Sequence, residues 1–207
     1  MKKISLLLFS VFFVTGLMAQ QKDIYGNFIK SDGTKIKGTS VAIGYEGQII
    51  ISNYTGGSDN SGIIEIEVPS GAYVADFRNL MNTQNTVNAN KQVPGKSINA
   101  TVRPNTINAG INKNQLVQQP VTLMAIDIAV TTPFKDQKSH AINSKIILQD
   151  ISVQSVTDNV STGSSKIKLK ATRIGWIYYT YEQTSRKLSG SSKSGWDNAA
   201  GKAWTDF

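Results

Sequence analysis

Few side chains in this chain of 207 residues have the chemistry that catalysis usually requires. The single histidine, His140, stands in a polar stretch, Lys138-Ser139-His140, with no identifiable partner. General acid–base and nucleophilic mechanisms most often use a histidine that a second polar group holds in place. We therefore predict a solvated loop histidine at position 140. The absence of cysteine excludes disulfides, thiol catalysis and cysteine metal sites.

Paired carboxylates are a second route to catalysis, and the sequence supports them weakly. Glu65 and Glu67 lie two residues apart, so they share one face of a strand, and we expect that face to meet solvent. Asp127 and Asp150 lie inside apolar strands, where burial raises a carboxyl pKa, but a turn or a hydrogen bond explains them equally well. The glycine-rich loop Gly56–Gly62 has no lysine for phosphate and too few acids for calcium. The sequence thus predicts no enzyme and no catalytic, cofactor-binding or metal-binding residue.

The N-terminal segment, residues 1–19, has the pattern of a secretory signal peptide. Two lysines precede an apolar run over residues 4–18, and Ala19 precedes a polar stretch. This pattern is typical of cleaved signals, and the run is shorter than the roughly 20 residues of a membrane span. We predict cleavage after Ala19 and export to the periplasm, the cell surface or the medium. The mature chain, residues 20–207, is expected to be a single domain without a membrane span.

The charge of the mature chain argues against one class of partner. Cleavage leaves 20 basic and 14 acidic residues, a net charge of +6. The basic residues are scattered, and few aromatic residues lie between them. Because a nucleic-acid surface usually shows a basic cluster, we interpret this charge as a solvated surface and predict no nucleic-acid partner.

Strand signals dominate the mature chain. Residues 63–68 alternate, with isoleucine and valine on one side and glutamate on the other. Further alternating or apolar runs cover residues 22–30, 41–45, 48–52, 73–77, 121–132 and 145–156. The pattern predicts an all-β fold, or a mainly β fold with one short helix.

Residues 79–119 form a different kind of segment. They include 15 asparagine or glutamine residues and no acidic residue. Alternation of Ile98, Ala100 and Val102 indicates one strand, and residues 112–119 have the pattern of a short helix ended by Pro120. We interpret the segment as a long polar insertion, with a polar contact surface as the alternative.

The strand predicted over residues 166–181 changes character along its length. Its first half has lysines on one side and apolar residues on the other, whereas its second half is apolar on both sides. Such a strand is covered on both faces, here by a helix or by a neighbouring subunit. Cover by a subunit predicts a self-assembly surface at Ile174, Trp176, Tyr178 and Tyr181.

Four stretches of the chain resemble the haemolysin-coregulated protein family, Hcp. Residues 145–156, KIILQDISVQSV, are similar to the family strand (Y/K)xLxDVxVSSV. Residues 174–181, IGWIYYTY, resemble the end of its ESVSLNFxKIxWTYT segment, and residues 194–202, SGWDNAAGK, resemble its closing AGWDxxxNKK. Residues 44–54, GYEGQIIISNY, are similar to its G(H/Y)xGxIEVLSYSxG and follow Ile36-Lys37-Gly38. The resemblance lies within residues 36–54 and 145–202.

This resemblance implies both a fold and a role. Family members are antiparallel β-barrels whose subunits form six-membered rings, and these rings stack into the inner tube of bacterial type VI secretion systems. By resemblance, the mature chain is an Hcp-like antiparallel β-barrel and a structural protein that forms a ring-like homo-oligomer, in the family a hexamer. Its export is predicted from residues 1–19. The partners implied are further copies of the chain and secretion-system proteins or effectors, and no cofactor is implied.

A second resemblance leaves another function open. Residues 24–77 are similar to the carboxypeptidase-regulatory-like β-sandwich module, most clearly in Val68-Pro69-Ser70-Gly71-Ala72-Tyr73. The alternative is therefore an exported β-sandwich adhesin or fimbrial-type surface protein. A third option is a periplasmic carbohydrate-binding protein that uses the tyrosines and tryptophans. For Trp196 and Trp204 we expect packing in a terminal hairpin rather than a sugar platform.

Overall fold

The structure is a computed structural model that describes residues 22–57, 61–91, 123–133, 140–182, 185 and 187–207, with the backbone alone for residues 86–91. The signal segment and the strand and helix expected around residues 98–119 lie outside the described residues. In the described part, ten strands and one helix follow in the order β1 (Asp23–Lys30), β2 (Lys35–Ile36), β3 (Ile49–Ile51), β4 (Asn53–Gly56), β5 (Ile63–Pro69), α1 (Tyr73–Lys91), β6 (Leu123–Pro133), β7 (His140–Asn159), β8 (Ser164–Tyr181), β9 (Leu188–Asp197) and β10 (Lys202–Ala203).

The strands close into an antiparallel barrel. β1 pairs with β6, β6 with β7, β7 with β8, and β8 with β5. β3 and β4 follow one another across Ser52 and close the remaining gap, because β3 pairs with β1 while β4 pairs with β5. The predicted fold class, a mainly β antiparallel barrel with one helix, is confirmed.

The N-terminal third is an integral part of this barrel. Tyr25 of β1 lies opposite Ala129 of β6, and Ile66 of β5 lies opposite Ile167 of β8. Because these strands pair with strands from the second half of the chain, residues 24–77 do not form a separate β-sandwich. The fold implied by the carboxypeptidase-regulatory-like resemblance is therefore wrong.

Strands β7 and β8 form one long hairpin of 20 and 18 residues. The other edge of β8 has two partners, since residues 164–170 pair with β5 and residues 173–181 pair with β9. The buried side changes phase between these halves: Leu169 and Ala171 are buried in the first, and Ile174 in the second. Beside this point Asp150 of β7 has a φ of 51°, a left-handed conformation that aspartate adopts more readily than most residues.

The core is built mainly from β-branched and aromatic side chains. Phe28 of β1 and Phe77 of α1 meet edge to face, with ring centroids 5.1 Å apart. Burial of each large apolar side chain contributes roughly 1.5–3 kcal/mol. The largest fully buried side chains are Phe28, Ile49, Ile64, Ile66, Phe77, Leu123, Ile126, Ile128, Leu148, Ile167, Leu169 and Ile174.

Helix α1 occupies the position where the sequence predicted a strand over residues 73–77, and that prediction is wrong. Tyr73, Phe77 and Leu80 are buried and recur at the spacing of one helix face, which outweighs the short apolar run. Lys30 of β1 pairs with Asp76 in the first turn at 2.8 Å. The first residues of the polar segment 79–119 thus belong to this helix. No helix in the described ranges has the length and apolar character needed to cross a bilayer.

Candidate functional site

His140 is buried rather than solvated. It begins β7, and its side chain is 5% exposed. Its Nε2 lies 3.1 Å from Oδ2 of Asp23 and 3.4 Å from the hydroxyl of Tyr25. The expectation of a loop histidine without a partner is wrong, because the pairing of β1, β6 and β7 brings in a carboxylate 117 residues away in sequence.

Three of the four acidic residues singled out by the sequence have partners that tie neighbouring strands together. Asp127 on β6 pairs with Lys145 on β7 at 2.9 Å. Glu67 on β5 accepts a hydrogen bond of 2.7 Å from the hydroxyl of Ser164 on β8, and Glu65 lies 3.9 Å from a lysine of the same strand. Among the residues that the structure describes, no three histidine or acidic side chains lie close enough together to hold a metal ion.

The four residues of the predicted self-assembly surface differ in their exposure to solvent. Ile174 is fully buried in the barrel core, so its inclusion in that surface is wrong. Trp176 is partly buried and packs against the same core. Tyr178 is 53% exposed, and Tyr181 is half-buried, with its hydroxyl donating to the carbonyl of Ile142 at 2.9 Å. Of the four residues, Tyr178 has the most accessible side chain.

A loop over residues 37–48 covers part of the outer face of the sheet. The strand expected at residues 41–45 is part of this loop instead. Tyr45 stacks on Tyr25 of β1 with ring centroids 4.5 Å apart and an interplanar angle of 16°, and it meets the edge of His140 at 6.0 Å. Burial is the main reason that the pKa of Tyr45 is raised.

Residues 204–207 cover the outer face of β8 and β9. Gly175 and Gly195 are register partners, and the ring of Phe207 lies over both. A Cβ atom at Gly175 would lie 2.7 Å from this ring, and one at Gly195 would lie 2.6 Å from it. Trp204 is buried and Trp196 packs against the barrel core, so both tryptophans pack as predicted. Residues 204–207 therefore cover apolar surface that sequence reasoning assigned to a helix or a neighbouring subunit.

An ion pair anchors the turn that leads to these covering residues. Arg173 Nε donates to Asp197 Oδ2 at 2.9 Å, and the amides of Ala199 and Ala200 donate to Asp197 Oδ1, each at 2.9 Å. The Ala200 amide and the Arg173 guanidinium hold the pKa of Asp197 below its usual value. The carboxylate thus fixes the direction in which the chain leaves β9.

One edge of the sheet stays open. β10 pairs only with the end of β9, and over residues 188–194 no described strand lies on the other side of β9. Tyr178 lies opposite Ser192, and Tyr181 lies opposite Leu188, which is 57% exposed. We call Tyr178, Tyr181, Leu188 and this free edge the β8–β9 surface. Sequence reasoning missed the edge, because a run of serines and glycines carries little strand signal.

The fold is that of solved Hcp proteins. The structure of a type six secretion system protein matches with a TM-score of 0.57 at 12% identity, over 89% of this chain and 100% of that chain. Hcp1 and Hcp2 from Salmonella typhimurium each match with a TM-score of 0.53, at 11% and 13% identity, over 88% and 87% of this chain and 99% and 98% of theirs. No protein-family model matches the chain, and no curated protein matches its sequence. The resemblance seen in the sequence motifs is thus confirmed at the level of the fold.

Proposed function

We propose that the protein is an exported structural subunit, related to the tube component of type VI secretion, that associates with copies of itself into a ring. The observation that carries the proposal is the match with solved Hcp proteins over 98–100% of their chains. A shared fold alone does not fix function, so the proposal also depends on the surface of this chain.

The β8–β9 surface supports association between copies. A free strand edge presents unpaired amide and carbonyl groups that another strand can pair with, and charged residues on the edge usually guard against this. Lys193 is the one charged residue of the free edge, and its ammonium group is held against Phe207, 5.4 Å from the ring centroid. The other edge residues are small or apolar, and Tyr178 and Leu188 add exposed apolar area beside them.

In a closed ring this edge would meet a different surface of the next subunit, so that every subunit makes the same contacts. By analogy with the Hcp family, we propose six subunits and no catalytic activity. The partners proposed by the same analogy are secretion-system proteins or effectors.

Export is proposed on the sequence of residues 1–19 alone. Cleavage after Ala19 would release residues 20–207 as a single domain, whose polar insertion begins within α1. Mass spectrometry of the protein recovered from the cell envelope or the medium should find an N-terminus near Gln20. Recovery of the chain starting at Met1 would contradict the cleavage.

Electron microscopy of the purified mature protein tests the assembly itself. We expect ring-shaped particles, or short stacks of rings at high protein concentration. The matched control is Val160→Glu, which places a charge on an exposed apolar residue in the turn between β7 and β8 and should leave the rings intact. Micrographs of the unmutated protein that show only single subunits would contradict the proposal.

A further inference from the structure

A cavity of about 410 Å³ opens on the outer face of the barrel, between the loop over residues 37–48 and strands β1, β6, β7 and β8. Two phenol rings, from Tyr45 and Tyr179, form part of its wall, and Asn27 and Gln48 add amide groups. Pockets of this kind bind small molecules when a few polar groups converge beside apolar or aromatic surface. The four residues come from three separate parts of the chain, so only the fold brings them together.

Four polar side chains of this wall are unengaged. The side chains of Asn27, Tyr45, Gln48 and Tyr179 make no hydrogen bond within the described part of the chain, although each is partly buried. Partly buried amides and phenols usually have a partner in the protein or in ordered water. Each of them can both donate and accept a hydrogen bond, which matches the same double capacity of a hydroxyl group.

His140 adds a buried group to the same wall. Its Nε2 is engaged by the carboxylate of Asp23 at 3.1 Å. The other ring nitrogen, Nδ1, is buried without a hydrogen-bond partner among the described residues. Because Nδ1 is shielded from solvent, we assign the hydrogen bonds to a ligand to the four unengaged side chains.

The charges of the wall balance. Asp127 and Lys145 both line the cavity and pair with each other at 2.9 Å, so neither is left to attract a charged ligand. A wall with unengaged amides and phenols, aromatic faces and no free charge suits a ring that has apolar faces and several hydroxyl groups. We propose that this cavity binds an uncharged sugar unit of a glycan chain.

Calorimetric titration of the folded mature protein tests the proposal with four neutral hexasaccharides: cellohexaose, chitohexaose, maltohexaose and mannohexaose. We expect at least one to bind, with Tyr179→Ala weakening the association constant about tenfold through loss of ring contact. The control is Val160→Ala, an exposed residue of the turn between β7 and β8 outside the cavity, which should bind as the parent does. If Tyr179→Ala fails to fold, the double variant Asn27→Ala with Gln48→Ala takes its place, with the same expected loss.

Two results would overturn the sugar site. One is the absence of binding by all four hexasaccharides up to about 10 mM, the range of a weak single site. The other is an equal loss of binding in the Val160 and Tyr179 variants. Binding of choline or polygalacturonate in place of all four neutral sugars would overturn the ligand class, since those probes carry a charge.

Discussion

The backbone amide of Val153 donates to the side-chain oxygen of Gln84 at 2.9 Å, so a residue of helix α1 pairs with the edge of strand β7. Over residues 152–159, β7 has β8 on one side and no described strand on the other. Arg78 of the helix adds an ion pair with Asp158 further along the same strand. The helix therefore protects an edge that would otherwise be open in the long hairpin.

Replacement of Gln84 by methionine should destabilise the protein by about 1–2 kcal/mol, because the Val153 amide loses its acceptor while the side-chain volume is kept. Urea unfolding followed by circular dichroism measures the change. Thr83→Ala is the control, since among the described residues Thr83 is bonded only to the carbonyl of Asn79 within the helix. Equal stability of the Gln84 variant and the parent would contradict this role for the helix.

The polar segment shows a limit of sequence reasoning. Its composition predicts an insertion, yet Gln84 in its first part makes a specific contact with a strand 69 residues away. Composition does not show which glutamine has a backbone partner, because that depends on how the helix lies against β7. The helix itself was predictable from the spacing of Tyr73, Phe77 and Leu80, which the short apolar run obscured.

Substitution of Gly175 by alanine should cost about 1–3 kcal/mol, because the new Cβ would meet the ring of Phe207. In a Phe207→Ala background the same substitution should cost much less, since the obstructing ring is gone. A double-mutant cycle by thermal or urea unfolding measures this coupling. Additive effects of the two substitutions would show that Phe207 does not pack on Gly175 in solution.

Acid should weaken the anchor at Asp197. Its pKa in the folded protein lies below the usual value, so its charge stabilises the fold above about pH 4, and this contribution is lost as the pH falls through the folded pKa. Asp197→Asn should therefore be less stable than the parent near neutral pH, with a difference that narrows in acid. Unfolding curves at about pH 7 and about pH 2.5 test this. A difference that stays constant over that range would contradict it.

Charges placed at two positions of β8 should have opposite consequences. Ile174→Glu buries a carboxylate in the core and should unfold the protein, at a cost of several kcal/mol. Tyr178→Glu places its charge on an exposed side chain, so the circular dichroism spectrum should be preserved while association is weakened. If the Tyr178 variant loses its β-strand circular dichroism signal, or the Ile174 variant keeps it, the assignment of Ile174 to the core and Tyr178 to the surface would be contradicted.

The comparison of sequence with structure is clearest along β8. Alternation predicted the strand and its two-sided apolar second half, and the motifs at residues 145–156 and 174–181 predicted the barrel. Alternation did not show that the buried side changes phase between Ala171 and Ile174, or that Phe207 covers one face. Both depend on pairings and contacts between distant parts of the chain, as does the partner of His140.

The molar mass of the mature protein in solution tests the central claim most directly. Light scattering coupled to size-exclusion chromatography measures that mass. The protein concentration is varied over about 1–100 µM, because association depends on concentration. A ring predicts one species at a fixed integral multiple of the subunit mass, six by analogy with the Hcp family, and a lower mass for Tyr178→Glu. A molar mass equal to that of one subunit at every concentration in this range would contradict self-assembly.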